Sequence, residues 1–229
     1  MSLESGLYIV STPIGNLEDI TLRALSVLKE VDLIACEDTR RTGMLLAHYQ
    51  IKNRLISYHE YNKLKRTPEI LELLRQGKRV ALVSDAGTPG ISDPGFYLIR
   101  AAIEHNYKVI SIPGASAILA GIVIAGLPSD RFAFEGFLPK REGRKKKKLE
   151  DLKYEQRTMI FYDSPNRVKK TLNDMLNIFT DRRIVLVREL TKKFEETIRG
   201  KISEVLEILE KRELKGEIVL IVEGYAGGI

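Results

Sequence analysis

Short apolar runs alternate along the chain with longer segments in which apolar residues recur every three or four positions. The short runs predict buried strands, and the longer segments predict amphipathic helices. In the first half, strands are expected at residues 7–10, 33–36, 55–57, 79–83 and 108–112. Thr67 and Pro68 are expected to open the helix before the fourth strand. Because helical segments separate consecutive strands, we expect a mostly parallel sheet covered on both faces.

The second half continues this alternation, which predicts a second α/β lobe. Strands are expected near residues 131–134, 158–162, 184–187, 197–200 and 218–222. A helix of small residues should lie between the Pro-Gly turn at residues 113–114 and Gly126, and further helices near residues 166–179 and 203–211. The pattern predicts two lobes, residues 1–112 and 113–229.

A loop rich in glycine and proline follows the fourth predicted strand. Residues 84–95 read Ser-Asp-Ala-Gly-Thr-Pro-Gly-Ile-Ser-Asp-Pro-Gly, whereas a purely structural turn between strand and helix usually needs roughly two to six residues. Gly87, Gly90 and Gly95 permit positive φ or the close approach of a ligand. We therefore expect a ligand-binding loop, followed by a helix that Asp93 caps and Pro94 begins. The glycine spacing matches neither a dinucleotide-binding nor a triphosphate-binding loop.

Polar residues follow every predicted strand of the first lobe. They lie at residues 11–13, 37–40, 58–62, 84–85 and 113–114. The carboxyl ends of parallel strands share one edge of the sheet, where open sheets bind ligands. Similar clusters follow two strands of the second lobe, at residues 162–167 and 188–192. Each cluster could serve only as a turn or a helix cap, but their common placement favours a cleft lined from both lobes.

The net charge of +6 is concentrated in one short segment. Between residues 140 and 148, seven basic residues stand against the single acid Glu142, so the rest of the chain is neutral overall. The basic residues are Lys140, Arg141, Arg144, Lys145, Lys146, Lys147 and Lys148. Two explanations stay open, a solvated loop and a binding surface for nucleic-acid phosphates.

The composition also makes several classes of protein unexpected. The single cysteine, Cys36, excludes internal disulfides and fits a reducing cytoplasm. His48, His59 and His105 show no metal-ligand spacing, so a zinc site is not expected. Neither a membrane span nor a secretory signal is expected, because no apolar run approaches ~18 residues and residues 1–6 lack a basic stretch before an apolar core.

Seven segments carry a resemblance to known proteins. They are Leu-Tyr-Ile-Val-Ser-Thr-Pro-Ile-Gly-Asn-Leu at residues 7–17, Glu-Asp-Thr-Arg at 37–40, Ser-Asp-Ala-Gly-Thr-Pro at 84–89, Gly-Leu-Pro-Ser-Asp-Arg-Phe at 126–132, Phe-Tyr-Asp-Ser-Pro at 161–165, Arg-Glu-Leu-Thr-Lys at 188–192 and Lys-Gly-Glu at 215–217. Together they resemble the tetrapyrrole methylase superfamily and, within it, the bacterial ribosomal small subunit methyltransferase I family. Asp163 stands where that family more often has glutamate.

The resemblance implies an α/β protein of two lobes, with a mostly parallel sheet in the N-terminal lobe and a mixed sheet in the C-terminal lobe. It further implies a homodimer that binds S-adenosyl-L-methionine in the cleft between the lobes. Its substrate would be 16S rRNA in the small ribosomal subunit, methylated on the ribose 2′-oxygen of a cytidine. Neither a metal nor a membrane is implied.

The resemblance also assigns cofactor contacts by position. Pro13 would close over the cofactor, and the glycine-rich loop would hold its amino-acid and ribose parts through Asp85, Gly87, Thr88 and Ile91. A second set follows the Pro-Gly turn or approaches the adenine: Ser116, Ala117, Tyr162, Leu190, Gly216 and Glu217.

Transfer of a methyl group from a sulfonium to a hydroxyl is an in-line displacement, in which positioning supplies much of the rate. A protonated ribose hydroxyl is a poor nucleophile, so a base or a cation that stabilises the developing alkoxide is expected. The candidates are Asp38, Glu189 and Lys192, whereas Arg40 and Arg188 are better suited to phosphates. Asp38 could instead cap a helix, and Glu189 could instead pair with Arg188.

Two other functions stay open on the sequence. The first is a methyltransferase of the same superfamily that acts on a small tetrapyrrole or on a modified protein side chain. The basic segment speaks against it, since a cleft for a small ligand does not require such charge. The second is an RNA-binding protein that holds the cofactor without catalysis, because no single residue is marked as the general base.

Overall fold

A computed structural model describes residues 3–227 of the 229-residue chain. The chain divides into two compact units, Met1–Ser116 and Ala117–Ile229, whereas the sequence pattern places the boundary after Ile112. The cofactor cleft expected between the lobes stays a prediction. The expectation about a secretory signal rests partly on Met1 and Ser2, which lie outside the described residues.

The first unit is built on a parallel sheet of five strands in the order β3-β2-β4-β1-β5. The strands are β1 (Gly6–Val10), β2 (Leu33–Cys36), β3 (Leu55–Ser57), β4 (Arg79–Val83) and β5 (Val109–Ile112). The helices are α1 (Leu22–Glu30), α2 (Thr39–His48), α3 (Lys63–Arg75) and α4 (Phe96–Glu104). Side chains alternate along β1, so Tyr8 and Val10 join a core with α1 and α2, while Leu7 and Ile9 join a core with α3 and α4.

Two predicted helix starts in this unit are wrong. Helix α3 begins at Lys63, because the Asn62 carbonyl already accepts the amides of Lys65 and Arg66 at 3.0 and 2.9 Å, and Pro68 lies inside the helix. Helix α4 begins at Phe96 rather than at Pro94. The loop folds back on itself as far as Gly95, where a Cβ would lie 2.9 Å from the Gly90 amide nitrogen.

The second unit contains a mixed sheet in the order β6-β7-β10-β8-β9, in which only the β6–β7 pair is parallel. Its strands are β6 (Phe132–Phe137), β7 (Thr158–Asp163), β8 (Arg183–Arg188), β9 (Glu196–Lys201) and β10 (Ile218–Val222). Its helices are α5 (Ala117–Ala125), α6 (Glu142–Asp151), α7 (Pro165–Phe179) and α8 (Ile202–Glu210). The predicted α/β class, with a parallel sheet followed by a mixed one, is confirmed.

Helix α6 is absent from the elements that the sequence predicts. Its first two turns are mostly Lys and Arg, so they show no apolar spacing that would indicate a helix. Lys145, Leu149 and Leu152 lie three or four residues apart and are all buried. Leu149 and Leu152 join the core formed with α7 and α8. The basic segment is therefore a helix with one buried side, and not a solvated loop.

Two further features of the structure concern membrane-spanning helices and clusters of metal-binding side chains. Over residues 3–227, every helix is too short or too polar to cross a bilayer. The same part of the chain has no group of three or more His, Cys, Asp and Glu side chains arranged to hold a metal ion.

Candidate functional site

Two loops at the carboxyl edge of the first sheet are hydrogen-bonded to each other. The Thr12 amide donates to the Gly87 carbonyl at 2.9 Å, and the Gly87 amide donates to the Thr12 carbonyl at 3.1 Å. The Thr12 hydroxyl donates to the Ser84 carbonyl at 3.1 Å, and the hydroxyls of Ser11 and Thr88 lie 2.8 Å apart. These bonds fix the β1 loop against the glycine-rich loop that follows β4.

Gly87 has a backbone conformation that favours glycine, with φ of +79°. A Cβ there would meet only ordinary contacts, at 3.6 Å from Ile14 Cγ2, so the requirement comes from the backbone and not from crowding. Gly114, after β5, is needed for the opposite reason, because its Cβ would lie 2.9 Å from Ser11 Cβ. Three loops therefore approach one another closely at this edge.

A pocket of about 220 Å³ opens beside these loops. Its walls include apolar side chains and one charged pair: Thr12, Pro13, Leu17, Arg41, Thr42, Met44, Leu45, Ser84 and Asp85. Pockets that enclose a whole ligand of moderate size occupy roughly 300–1,000 Å³, so this one suits part of such a ligand. It includes the predicted cofactor contacts Pro13 and Asp85, and the Gly87–Thr88 segment adjoins it through the bonds to Thr12 and Ser11.

Asp38 lies at this edge as the cap of helix α2. Its carboxylate accepts the Arg40 amide at 2.8 Å and pairs with the Arg40 guanidinium at 2.7 Å. The hydrogen bonds from Arg40 lower the pKa of Asp38 to about 2. A carboxylate held in this way is a weak base, so helix capping accounts for Asp38, and its role as general base stays a prediction.

Asp85 connects the same edge to α2 and to the pocket. It accepts the Asp38 amide at 3.1 Å, and its second oxygen lies 3.4 Å from Arg41 Nη1. The pocket wall therefore presents a carboxylate and a guanidinium side by side. Such a pair can bind a ligand that carries both signs of charge.

Asp93 also lies in the glycine-rich loop at this edge. The sequence predicts that it caps helix α4, but the cap of that helix is Gly95. Burial raises the pKa of Asp93 to about 6, with a further contribution from the nearby charges of Glu37 and Asp85, while a hydrogen bond from Ser84 acts in the opposite direction. Burial likewise raises the pKa of Glu37. The Asp-Pro-Gly sequence resembles a helix start, and nothing in it indicates that the carboxyl group turns back toward Ser84.

In the second unit, the turn after β8 is bonded to the segment before β10. The Glu189 amide donates to the Glu217 carbonyl, and the Glu217 amide donates to Glu189 Oε1, both at 3.0 Å. Lys192 Nζ lies 2.9 Å from both Glu189 Oε1 and Glu217 Oε2. Gly216 has φ of +93°, and a Cβ there would lie 2.2 Å from Glu189 Oε1. The glycine therefore makes room for the carboxylate.

This network sets the charges of the predicted catalytic pair. Burial acts to raise the pKa of Glu189, but the Glu217 amide and Lys192 outweigh it and hold that pKa below its usual value. For Lys192, burial acts to lower the pKa, and the bonds to Glu189 and Glu217 raise it overall. The two groups neutralise each other, so their catalytic roles stay predictions.

Arg188 does not pair with Glu189, so that alternative is wrong. Its Nε lies 2.7 Å from Glu196 Oε2, and its Nη1 donates to the Lys215 carbonyl at 3.3 Å. Glu189 pairs with Lys192 instead, because the tight turn after β8 places the Lys192 ammonium group beside the Glu189 carboxylate. Arg188 therefore stiffens the β8–β9 pair, and its predicted phosphate contact would have to compete with Glu196.

The other predicted cofactor residues lie in different parts of the fold. Ile91 is exposed in the glycine-rich loop, Leu190 is buried in the β8 turn, and Tyr162 lies near the end of β7. Ser116 ends the first unit, and Ala117 begins helix α5.

The seven basic residues at and before helix α6, all predicted RNA contacts, fall into three groups. Lys145 is 4% exposed and pairs with buried Asp174 of α7, so it cannot reach a phosphate and its prediction as an RNA contact is wrong. Lys146 pairs with Glu142, and Lys148 pairs with Glu135 of β6, at 3.2 and 2.7 Å. The others are exposed and have no carboxylate partner within residues 3–227: Lys140, Arg141, Arg144 and Lys147.

The fold and the sequence profile define the class of protein. The profile of the family Tetrapyrrole (Corrin/Porphyrin) Methylases matches residues 6–206. The structure is similar to cobalt precorrin-4 methyltransferase, a cobalamin biosynthetic enzyme, with a TM-score of 0.69, 18% identity and coverage of 95% of this chain and 94% of that one. It is also similar to uroporphyrin-III C-methyl transferase from Thermus thermophilus complexed with S-adenyl homocysteine, with a TM-score of 0.65, 19% identity and coverage of 95% and 97%.

Closer sequence relatives define the group within this class. The chain is 51% identical to the ribosomal RNA small subunit methyltransferase I of Streptococcus pyogenes serotype M1, over 95% of this chain and 76% of the relative. It is 49% identical to the protein of the same name from Thermotoga maritima, over 95% and 98%, and 50% identical to that of Bacillus subtilis, over 95% and 75%. The chain therefore belongs to the ribosomal RNA small subunit methyltransferase I family of the tetrapyrrole methylases.

This membership confirms the family and the enzyme class predicted from the sequence. The chain is an S-adenosylmethionine-dependent methyltransferase. The alternative substrates, a small tetrapyrrole or a protein side chain, are not favoured, because the relatives at about half identity are named for ribosomal RNA.

Proposed function

We propose that this protein transfers a methyl group from S-adenosyl-L-methionine to the ribose 2′-oxygen of a cytidine in the 16S rRNA of the small ribosomal subunit. The observation that carries the proposal is the pair of bonded loops at the carboxyl edge of the first sheet, with Gly87 at φ of +79° beside a pocket. It occurs in a chain about half identical to relatives named for methylating small-subunit rRNA.

The chemistry of the pocket supports placing the amino-acid part of the cofactor there. Arg41 and Asp85 offer charges opposite to those of a carboxylate and an ammonium group, and Leu17, Met44 and Leu45 offer apolar walls. S-adenosylmethionine supplies an electrophilic methyl group on a sulfonium, which transfers directly to a nucleophilic oxygen. Pro13, Gly87 and Thr88 would shape the site, and Asp38, Glu189 and Lys192 stay the proposed groups that handle the hydroxyl proton.

The exposed side of helix α6 supports an RNA substrate. Arg144 and Lys147 lie three residues apart on one side of the helix, and Lys140 and Arg141 come just before its first residue. We define these four residues as the basic face. Cations without carboxylate partners in the described structure are available to phosphates, which supply much of the affinity for RNA.

Two broader features are part of the same proposal. We infer that the protein acts as a homodimer, as its family resemblance implies, and in the cytoplasm, which its single cysteine fits. Sedimentation at micromolar concentration tests the first feature, with a single species of about twice the 26.0 kDa chain mass expected. A species of chain mass that still methylates its substrate would contradict it.

Methyl incorporation tests the proposed activity. Small subunits from cells that lack this methyl mark should accept labelled methyl groups from S-adenosylmethionine, with one group per subunit at completion. Gly87→Val should abolish cofactor binding and incorporation, because a β-branched residue is strained at positive φ and would displace the loop that adjoins the pocket.

Gly77→Val is the matched control for backbone strain. Gly77 has φ of +76° and open space around it, and it lies in the turn between α3 and β4. This variant should bear the same strain and keep cofactor affinity. Retained cofactor affinity in a folded Gly87→Val variant would mean that the glycine-rich loop is only structural, and no incorporation by a protein that binds the cofactor would contradict the proposed substrate.

A further inference from the structure

Phe137, the last residue of β6, is an exposed aromatic side chain whose position depends on a β-bulge. Pairing between β6 and β7 shifts between Phe134 and Gly136, and Gly136 has φ of +63°. The extra residue brings Phe137 into register with Tyr162, while Phe134 is in register with Ile160. Phe134, Phe137 and Tyr162 therefore share one face of the sheet.

The ring of Phe137 is held in place although it is largely exposed. Its centroid lies 5.4 Å from that of Tyr162 in an edge-to-face contact, and the Tyr162 ring makes a similar contact with Phe134 at 5.0 Å. Phe137 is nevertheless 57% exposed. A fixed, exposed ring loses little conformational freedom when a flat ligand stacks on it.

The segment after Phe137 leads directly into the basic face. Arg167 Nη2 donates to the Leu138 carbonyl at 2.8 Å and to the Pro139 carbonyl at 3.4 Å, which fixes the connection to α6. Glu135, the residue inserted by the bulge, pairs with Lys148 of α6. The bulge thus sets both the ring of Phe137 and the position of the basic helix.

We propose that Phe137 is a stacking platform for an unpaired nucleobase of the RNA substrate, while the basic face binds the phosphates next to that base. Aromatic stacking combined with neighbouring cations is a general means of holding single-stranded nucleic acid, because every base has a flat face. The inference rests on the proposed function, since it takes RNA as the ligand. A nucleobase could also come from the adenine of the cofactor, and the test separates the two sources.

The chain contains no tryptophan, so Phe137→Trp introduces a single fluorescent indole at the platform. A mixed-sequence single-stranded RNA of about ten nucleotides should quench this fluorescence to saturation. The same RNA with abasic sites should bind without quenching, since it keeps the phosphates and lacks the bases. Tyr154→Trp is the matched control, because Tyr154 is 66% exposed, lies next to Lys153 and makes an edge-to-face ring contact with Tyr225, but precedes the first residue of β7, whereas Phe137 contacts Tyr162 near the last.

Affinity measurements complete the test. Phe137→Ala should weaken RNA binding by about tenfold, in the range typical of a lost stacking contact, with unchanged melting temperature and cofactor affinity. Phe137→Tyr should restore RNA affinity. Quenching equal to that of Tyr154→Trp, or unchanged affinity in Phe137→Ala, would overturn the inference.

Two further outcomes would also overturn it in favour of another occupant. Quenching by S-adenosylmethionine without RNA would assign the platform to the adenine, and dissociation of an oligomer by Phe137→Ala would assign it to a second copy of the chain. The readout is binding and not methyl transfer, so loss of stacking with intact methylation contradicts this inference alone. Absent methylation with intact stacking contradicts the proposed function alone.

Discussion

At the scale of single residues, Lys145 shows that a run of basic residues does not reveal which of them is buried. The sequence gives the total charge of residues 140–148 but not which lysine turns inward. The spacing of Lys145 to Leu149 marks the buried side only once the segment is known to be helical. The ion pair with Asp174 could not be predicted, because its partner lies on α7, far away in the sequence.

Lys145→Ala should lower the free energy of unfolding by about 3–5 kcal/mol, because it leaves the carboxylate of Asp174 buried without a partner. Lys147→Ala, on the exposed side of the same helix, should change it by less than about 0.5 kcal/mol. Urea unfolding of the two variants measures the difference. Equal stability would mean that the buried pair does not form in solution.

Asp93→Asn should raise stability at neutral pH and not in acid. The pKa of Asp93 is about 6 in the folded protein and 3.8 as the ordinary value, so the folded state binds more protons between those values. Its contribution to the free energy of unfolding therefore falls as pH rises from about 4 to about 6. Relative to the wild type, the free energy of unfolding of the variant should be higher by about 1 kcal/mol at pH 7.5 and unchanged at pH 4. The figure at pH 7.5 is reduced because Asp93 is partly exposed.

Asp32→Asn provides the control of opposite sign. Hydrogen bonding to Arg79 lowers the pKa of Asp32 to about 2, so its stabilisation is present above pH 4 and is lost as the pH falls toward 2. This variant should be less stable than the wild type at pH 7.5. Melting curves across the pH range measure the stability of each variant relative to the wild type. If both variants were more stable, or both less stable, at pH 7.5, the raised pKa of Asp93 and the lowered pKa of Asp32 would be contradicted.

At the scale of elements, apolar runs predict strands better than polar signals predict helix ends. Strands β2, β3, β4 and β10 have the residues expected from the sequence, because each contains a short apolar run that marks its position. Helices α3 and α4 begin elsewhere than their apparent caps. Whether an Asp or a Thr caps a helix depends on the path of the preceding loop, which the local sequence does not specify.

The basic face leads to a prediction about salt. Arg144→Ala combined with Lys147→Ala should weaken RNA binding and flatten the dependence of log affinity on log salt, by about 0.7 per lost contact for single strands. Lys146→Ala combined with Lys148→Ala removes the same charge from residues already paired with Glu142 and Glu135, so its slope should change less. Filter binding at several salt concentrations measures both, and equal slopes would remove the basic face from the RNA site.

At the scale of the whole molecule, the sequence predicts where the candidate site lies better than it predicts the ion pairs and ionisation states of the residues in it. Polar residues after parallel strands correctly indicate one shared edge, where Thr12 and Gly87 meet. The partners of Asp38, Glu189 and Arg188 depend on residues brought together by turns, so their ionisation could not be predicted. RNA as substrate came from family resemblance and from the charge of residues 140–148.

The claim that the protein methylates the ribose 2′-oxygen of a cytidine is tested by identifying the methylated atom. Small subunits methylated by this protein with labelled S-adenosylmethionine are digested to nucleosides and separated by mass spectrometry. We expect the label to appear in 2′-O-methylcytidine, and we expect subunits that already carry the mark to accept none. Label on a cytosine base, on another nucleoside or on ribosomal protein would contradict the claim.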